Sequence, residues 1–494
     1  RFFILRYSTS AQMWKWPGLR LRVLVLAAGA VLTSAADASL RGRSKANPPP
    51  KYFGTPTLGG NKKYRQVLTS KGDVQYLADV VVGDQVMKGI VDTGSFDLVV
   101  FPTHCKQCGS ATVYDTRLTL GHEYGKLSAI RPYGSGTAWS VLATDEVEIG
   151  PYHQEKQAFW EVTSAEIPQV DTTGLGFGAI LGMGPPHTPA VDAWRASHAA
   201  VKKVIADYKN GVLPDLGAIK SAVLAVKTGA GLTSSPPMLK GFEAKNYSFC
   251  LQQKPGSDGY IIWEDASSIL RPDLFTKVDI VGKNTWTAQM SNARLAKADA
   301  TVESLGCAEG CSALFDSGTS LLALPRSAVE ALEVALAARP PKDDCSDLSE
   351  MPDLAFEMGG AQLRLPPDAY LMEVEGDVPS HLTGFIKPRM LANHSNAMCR
   401  LMVMETVSQG QSGPLWILGL PFFRTYYTTF VLDGEFNQAS RALYISEASS
   451  ECMPAANLSA SKQAPVAIHR RVQPKHFWVP ESALRASTTE TLVL

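Results

Sequence analysis

The chain has 494 residues, 45% of them hydrophobic and 19% charged, with 47 basic side chains against 47 acidic ones. At roughly 100–200 residues per domain it is long enough for two lobes, and its 40 Gly and 31 Pro lie near background usage, which excludes collagenous and wholly disordered chains. Zero net charge gives no global attraction to nucleic acid or anionic lipid, and no basic stripe interleaved with aromatics replaces it, so no nucleic-acid partner is expected.

Residues 1–12 precede the first methionine, Met13, and are set aside. From Met13 a basic region (Lys15, Arg20, Arg22) leads into the apolar run Val23 to Leu32 and then Ala36-Asp37-Ala38, the small-x-small pattern of a signal-peptidase site. This predicts a signal peptide over 13–38 and entry into the secretory pathway, with the exterior or an acidic lysosome- or vacuole-like compartment as destination. The run is too short for a bilayer, which needs about 20 apolar residues, and no later run is long enough, so no membrane span is expected. Eight cysteines, an even number, suit an oxidising compartment with a few bridges.

Residues 39–73 hold Pro48-Pro49-Pro50, Gly59-Gly60 and eight bases, Lys62, Lys63 and Arg65 among them, against the single acid Asp73. The composition reads as a basic pro-segment or linker. From Val74 onward short runs rich in Val, Ile, Thr and aromatics recur between turn residues, as in Val74 to Val82, Val86 to Val91, Phe96 to Phe101 and Ser140 to Ile149, which predicts mostly β-sheet. Pro189 to Val226 differs. Trp194, Val201, Val204, Ile205 and Tyr208 fall at helical spacing and predict one or two helices inserted on the first lobe. Residues 453–494 lack hydrophobic periodicity and read as a mostly disordered tail. The sequons at Asn246, Asn393 and Asn457 are candidate glycosylation sites.

The informative feature is a repeat. Val91-Asp92-Thr93-Gly94-Ser95 is echoed by Phe315-Asp316-Ser317-Gly318-Thr319, and Ile180-Leu181-Gly182 follows the first aspartate as Ile417-Leu418-Gly419 follows the second. Two lobes with the same internal order are expected. A strand ending in Asp, a hydroxyl residue and Gly makes a tight turn whose amides and hydroxyls aim a carboxylate. Two such loops face to face bring two carboxyls together, and like charges about 3 Å apart cannot both ionise. One carboxyl then keeps a proton while the other serves as base toward a water, a chemistry that needs no metal, cofactor or covalent nucleophile. Alone, each four-residue match is as compatible with a plain turn or helix cap; the matched pair is what singles out Asp92 and Asp316.

On these residues the chain resembles the pepsin-like aspartic endopeptidases over roughly 74–452. The resemblance implies a bilobal, mainly β fold with a cleft between two related lobes, 74–250 and 251–452, and a peptide or protein substrate bound extended. It matches Asp92 and Asp316 to the catalytic aspartates, Thr93 and Ser317 to the interlocking hydroxyl residues beneath them, Ser95 and Thr319 to the hydroxyls that orient each carboxylate, and Gly94 and Gly318 to the turn positions. Tyr133-Gly134-Ser135-Gly136 looks like the tip of the family's β-hairpin flap. Trp416 to Phe430 resembles the carboxy-terminal signature, with Leu420 where an acidic residue is common.

The family also implies a bridge between Cys307 and Cys311 and another between Cys345 and Cys399. A short bridge occurs where Cys105 and Cys108 stand, and the remaining Cys250 and Cys452 would lie near the sheet joining the lobes and are expected to pair. A zinc site on Cys105 and Cys108 would need a second ligand pair that the spacing does not supply. The chain departs from the family at Val99, where a tryptophan usually bonds the flap tyrosine; Trp139 is a candidate substitute. The insert from about Pro186 to Leu239 is longer than in digestive members. The expectation is an acid-favoured endopeptidase, monomeric and made as a zymogen in which Lys62, Lys63 or Arg65 covers the carboxylates. The rival is a non-catalytic secreted binding or inhibitor protein on the same scaffold; a phosphate-binding loop of the actin or sugar-kinase type lacks its glycines.

Overall fold

The computed structural model describes residues 64–111, 113–133, 136–167, 176–185, 201–212, 219–220, 222–223, 226, 237–283, 285–297, 300–342, 344–383, 386, 389–390, 399–432, 441–456, 458 and 466–479. The signal peptide expected over 13–38, the bases Lys62 and Lys63, the flap-tip residues Gly134 and Ser135 and the sequons at Asn393 and Asn457 lie outside them.

The first half carries β1 (Tyr64–Lys71), β2 (Gln75–Val82), β3 (Gln85–Asp92), β4 (Leu98–Val100), β5 (Glu123–Tyr133), β6 (Gly136–Ile149), β7 (Tyr152–Glu166), β8 (Ala179–Gly182), β9 (Asn246–Leu251) and β10 (Gly259–Trp263). The second carries β11 (Thr276–Asp279), β12 (Thr287–Lys297), β13 (Ala300–Gly306), β14 (Cys311–Phe315), β15 (Leu322–Pro325), β16 (Asp353–Met358), β17 (Ala361–Leu365), β18 (Leu371–Val374), β19 (Arg389–Met390), β20 (Cys399–Leu401), β21 (Val403–Thr406), β22 (Gln409–Gly410), β23 (Gly413–Leu418), β24 (Tyr426–Val431), β25 (Ala442–Ala448), β26 (Pro454–Ala456) and β27 (Arg471–Val472). β-Branched and aromatic side chains dominate these runs because they fit a pleated, packed surface.

The repeat seen in the sequence is a repeat of topology. In the first lobe β3 runs parallel to β8, β8 antiparallel to β4, and β4 parallel to β7. In the second, β14 runs parallel to β23, β23 antiparallel to β15, and β15 parallel to β21. The lobes are joined by antiparallel pairings that run from β2 through β1, β10, β9 and β24 to β25. This is the two-lobed, mainly β architecture of the pepsin-like fold.

Helix is sparse. Arg326–Ala338 buries Ala328, Val329, Leu332 and Leu336 along one face and stops before Pro340, since the residue preceding a proline disfavours helical backbone. Within the expected helical insert residues 201–209 are helical, with Ile205 and Tyr208 exposed.

Two boundary expectations are corrected. Residues 64–71, read as part of a basic linker, are the strand β1: Arg65 and Val67 face outward, while Gln66 and Leu68 are buried. Tyr-Arg-Gln-Val-Leu-Thr-Ser-Lys alternates as a strand does, but its bases masked the pattern. The tail read as disordered is ordered over 466–479, with Arg470, Phe477, Trp478 and Val479 all buried. These side chains dock singly into other elements, so no periodicity announces them.

Candidate active site

Asp92 closes β3 and Asp316 follows β14, both fully buried. Each carboxylate is held by its own loop. Gly94 N–H donates to Asp92 Oδ1 at 2.9 Å and the Ser95 hydroxyl to Oδ2 at 2.7 Å. Gly318 N–H donates to Asp316 Oδ1 at 2.8 Å and the Thr319 hydroxyl to Oδ2 at 3.0 Å. The loops are laced to each other beneath: Thr93 N–H donates to Ser317 Oγ at 3.1 Å and Ser317 N–H to Thr93 Oγ1 at 2.8 Å. Both hydroxyls pass their protons to the opposite strand end, Thr93 to the Phe315 carbonyl and Ser317 to the Val91 carbonyl.

Each loop is backed by its Ile-Leu-Gly strand. Val91 pairs with Leu181 and Asp92 with Gly182; Leu314 pairs with Ile417 and Phe315 with Leu418. Glycine is required at the strand ends because a Cβ on Gly182 would lie 2.3 Å from the Asp97 nitrogen, and one on Gly419 would lie 2.0 Å from the Leu321 carbonyl oxygen. Behind Asp92 its carbonyl accepts from Met183 N–H at 2.7 Å, and the Met183 carbonyl accepts from Trp286 Nε1 at 3.0 Å and the Tyr247 hydroxyl at 2.5 Å. The sheet shared by the lobes thus fixes the backbone of the first aspartate.

The two carboxyls lie within hydrogen-bond reach of one another. Burial first, and the Asp316 charge second, hold the Asp92 carboxyl well above the usual carboxylate range, against the Ser95 and Gly94 hydrogen bonds that favour its charged form. The arrangement therefore keeps a proton between two aimed carboxyls.

The flap hairpin pairs β5 with β6 up to Tyr133 opposite Gly136. Two residues before its tip, Arg131 forms an ion pair with Asp97 at 2.7 Å and lies 4.7 Å over the Trp160 ring, tying the hairpin to the loop after Asp92. Tyr133 is buried in one cluster with Val99, Phe177 and Ile180. The ring that packs on Tyr133 belongs to Trp478, at 5.5 Å between centroids and also 5.7 Å from Phe177. Trp139, the substitute suggested by the sequence, pairs with Ile130 within the hairpin. Arg131, Asp97, Phe177 and Trp478 escaped notice in the sequence, since none stands in a motif and Trp478 is remote in the chain.

Arg65, a candidate to cover the carboxylates, does not reach them. Its guanidinium lies 3.6 Å over the Tyr260 ring and donates to the Glu451 carbonyl at 2.5 Å. The bonded cysteine pairs are Cys105–Cys108, Cys250–Cys452, Cys307–Cys311 and Cys345–Cys399. Asn246 sits in β9 with its amide oxygen shut away from solvent. Among the described residues the grouping with metal-ligand character is Glu146, Glu148 and His153 at the β6–β7 turn. No helix among them is long and apolar enough to cross a membrane.

Two duplicated β lobes, each presenting an aimed, buried aspartate to the other, define an aspartic-protease scaffold. The family model for eukaryotic aspartyl protease matches residues 75–234 and 240–441, and the chain belongs to that family. It is similar to cathepsin D of Rattus norvegicus, 26% identical over 397 residues that cover 76% of this chain and 82% of the relative. It is likewise similar to renin-2 of Mus musculus, 25% identical over 74% of this chain and 79% of the relative, and to pepsin A of Sus scrofa, 25% identical over 78% and 85%. At the level of the family the chain is a hydrolase scaffold of the peptidase type.

Proposed function

We propose that the chain is an aspartic endopeptidase in which Asp92 and Asp316 share one proton and activate a water toward a peptide bond. The observation that carries this reading is the pair of buried carboxyls within hydrogen-bond reach, each oriented by a glycine amide and a hydroxyl of its own loop. The ionised carboxylate takes a proton from water as the water oxygen bonds to the amide carbon, and the protonated carboxyl gives its proton to the carbonyl oxygen. The resulting gem-diol collapses when the carboxyl that gained a proton delivers it to the amide nitrogen. The C–N bond then breaks as one gem-diol hydroxyl returns its proton to the other, ionised carboxylate, leaving an acid, an amine and the pair with its single proton restored. No charge is left isolated at any step, because the pair gains one proton as it loses one.

The raised proton affinity of Asp92 favours acid, since the reaction needs one carboxyl protonated. Cys-bonded lobes, the signal-peptide pattern of 13–38 and the basic stretch ahead of β1 support a secreted or lysosome-like monomer made with a removable amino-terminal segment. With Arg65 committed to β1, that segment lies ahead of Tyr64. Cleavage of a denatured protein from acid to neutral pH, with and without a statine-type peptide that mimics the tetrahedral intermediate, tests the reading. Inhibitor-sensitive cleavage in acid supports it; no cleavage by folded, processed protein favours the non-catalytic binding protein. Amino-terminal sequencing before and after acid exposure tests the removable segment, and an unchanged start refutes it.

A further inference from the structure

The ordered tail runs from the second lobe to the flap. β27 pairs with β18, Arg471 opposite Glu373 and Val472 opposite Val374. Past a short turn the chain is extended, with Phe477 and Val479 entering the cluster that holds Leu321 and Ile417 of the second lobe, while Trp478 between them enters the Tyr133 and Phe177 cluster of the first. That alternation is the geometry of an extended peptide lying between two walls. Its main chain is read on both sides. Trp478 N–H donates to Ser320 Oγ at 2.9 Å, Ser320 N–H donates to the Trp478 carbonyl at 3.4 Å, and Gln75 Nε2 donates to the His476 carbonyl at 3.0 Å. Ser320 directly follows Thr319, whose hydroxyl holds Asp316.

We propose that residues 469–479 are an intrachain ligand of the peptide cleft, which substrate must displace, and that the cleft selects extended peptides with a large aromatic side chain where Trp478 now sits. This rests on the endopeptidase reading for its substrate, although the seating of the tail stands independently of it. Two features mark the seat as exchangeable. First, with the tail seated, the buried Trp478 Nε1, Asp368 Oδ1 and both Nε and Nη1 of Arg424 have no hydrogen-bond partner among the described residues. A buried polar group without a partner destabilises the state that holds it. Second, a replacement cation is already in place. Arg470 takes the Asp73 carboxylate at 3.0 Å and Asp368 at 3.2 Å, while Arg424 is left donating through Nη2 to the Asp73 backbone carbonyl. When Arg470 withdraws, the Asp73 and Asp368 carboxylates face Arg424, whose idle N–H groups can take them, so no buried charge is stranded.

A labelled synthetic peptide spanning His469 to Val479 tests the proposal on the full chain. The Trp478→Ala and Arg470→Ala variants, checked for cooperative melting, should bind it saturably, and the wild-type chain about tenfold more weakly, because its own segment competes. The same variants should show a KM for aromatic-containing peptide substrates lowered about tenfold. The wild-type measurement needs no variant to fold. Absence of saturable binding by every folded form, or a KM raised in Trp478→Ala, would make the tail a fixed wall of the cleft and overturn the proposal. Peptide binding without cleavage by any form would instead sink the endopeptidase reading and leave the tail assignment standing.

Discussion

Thr93 and Ser317 exchange hydrogen bonds across the seam between the lobes, each accepting from the other's backbone N–H and each donating to the carbonyl of the residue before the other loop's aspartate. The four bonds are buried and reciprocal, so they set how far apart the aspartate loops stand. Thr93→Val keeps the shape but strands the Ser317 N–H and the Phe315 carbonyl. The expected loss is about 2 kcal/mol, within the range for an unsatisfied buried group, read from the denaturant midpoint at unchanged slope. A loss below about 0.3 kcal/mol would mean that the lobes are held together elsewhere.

Gly94 and Gly318 face the opposite carboxylates. A Cβ on Gly94 would lie 2.4 Å from Asp316 Oδ2, and one on Gly318 would lie 2.3 Å from Asp92 Oδ1. Neither neighbour can yield without turning a carboxyl out of its hydrogen bonds. Gly94→Ala or Gly318→Ala should therefore lower kcat by about 100-fold, the scale of a 1 Å misplacement, while the folded protein persists by circular dichroism. Normal turnover by either variant would show that the loops tolerate a wider separation.

Ser95 tunes the proton. Its hydroxyl favours the charged form of Asp92, opposing the burial and the Asp316 charge that raise the carboxyl's proton affinity. Removing it in Ser95→Ala raises that affinity further, so the proton is kept to higher pH. The alkaline limb of kcat against pH should move upward relative to wild type, with a lower plateau from a less well aimed carboxylate. A limb moved toward acid would contradict the assignment of the proton.

Asp353 gives a pH signature of stability. Burial raises it from an ordinary value near 3.8 to about 6, in spite of Arg364 nearby. Between those values the folded chain holds a proton that the unfolded chain has released, so this contribution is complete below about 3.8 and is lost as pH rises through about 6. Thermal melting across that window should decline less steeply in Asp353→Asn than in wild type; equal slopes would place the titration elsewhere.

The two aspartate loops and the two Ile-Leu-Gly strands were legible because tight turns and close strand crossings admit few residue types, and the chain states each pattern twice. The flap hairpin was legible only by its place between them. What stayed hidden depended on distance along the chain. Trp478 meets Tyr133 through tertiary packing, Arg131 finds Asp97 from another strand of the same lobe, and Arg470 reaches Asp73 from the far end of the sequence. β1 was obscured for a different reason. A strand with a solvated face accommodates Arg65 and Lys71 as readily as a linker does, and its inward residues Gln66 and Leu68 are too few to announce it.

The most direct test of the dyad is peptide cleavage in acid by Asp92→Asn and Asp316→Asn beside wild type, with melting curves to show that both variants fold. Each carboxyl is assigned an indispensable half of one proton exchange, so either substitution should lower kcat about 10³-fold or more, within the range of general acid–base catalysis. Cleavage near the wild-type rate by either folded variant would contradict the two-aspartate account.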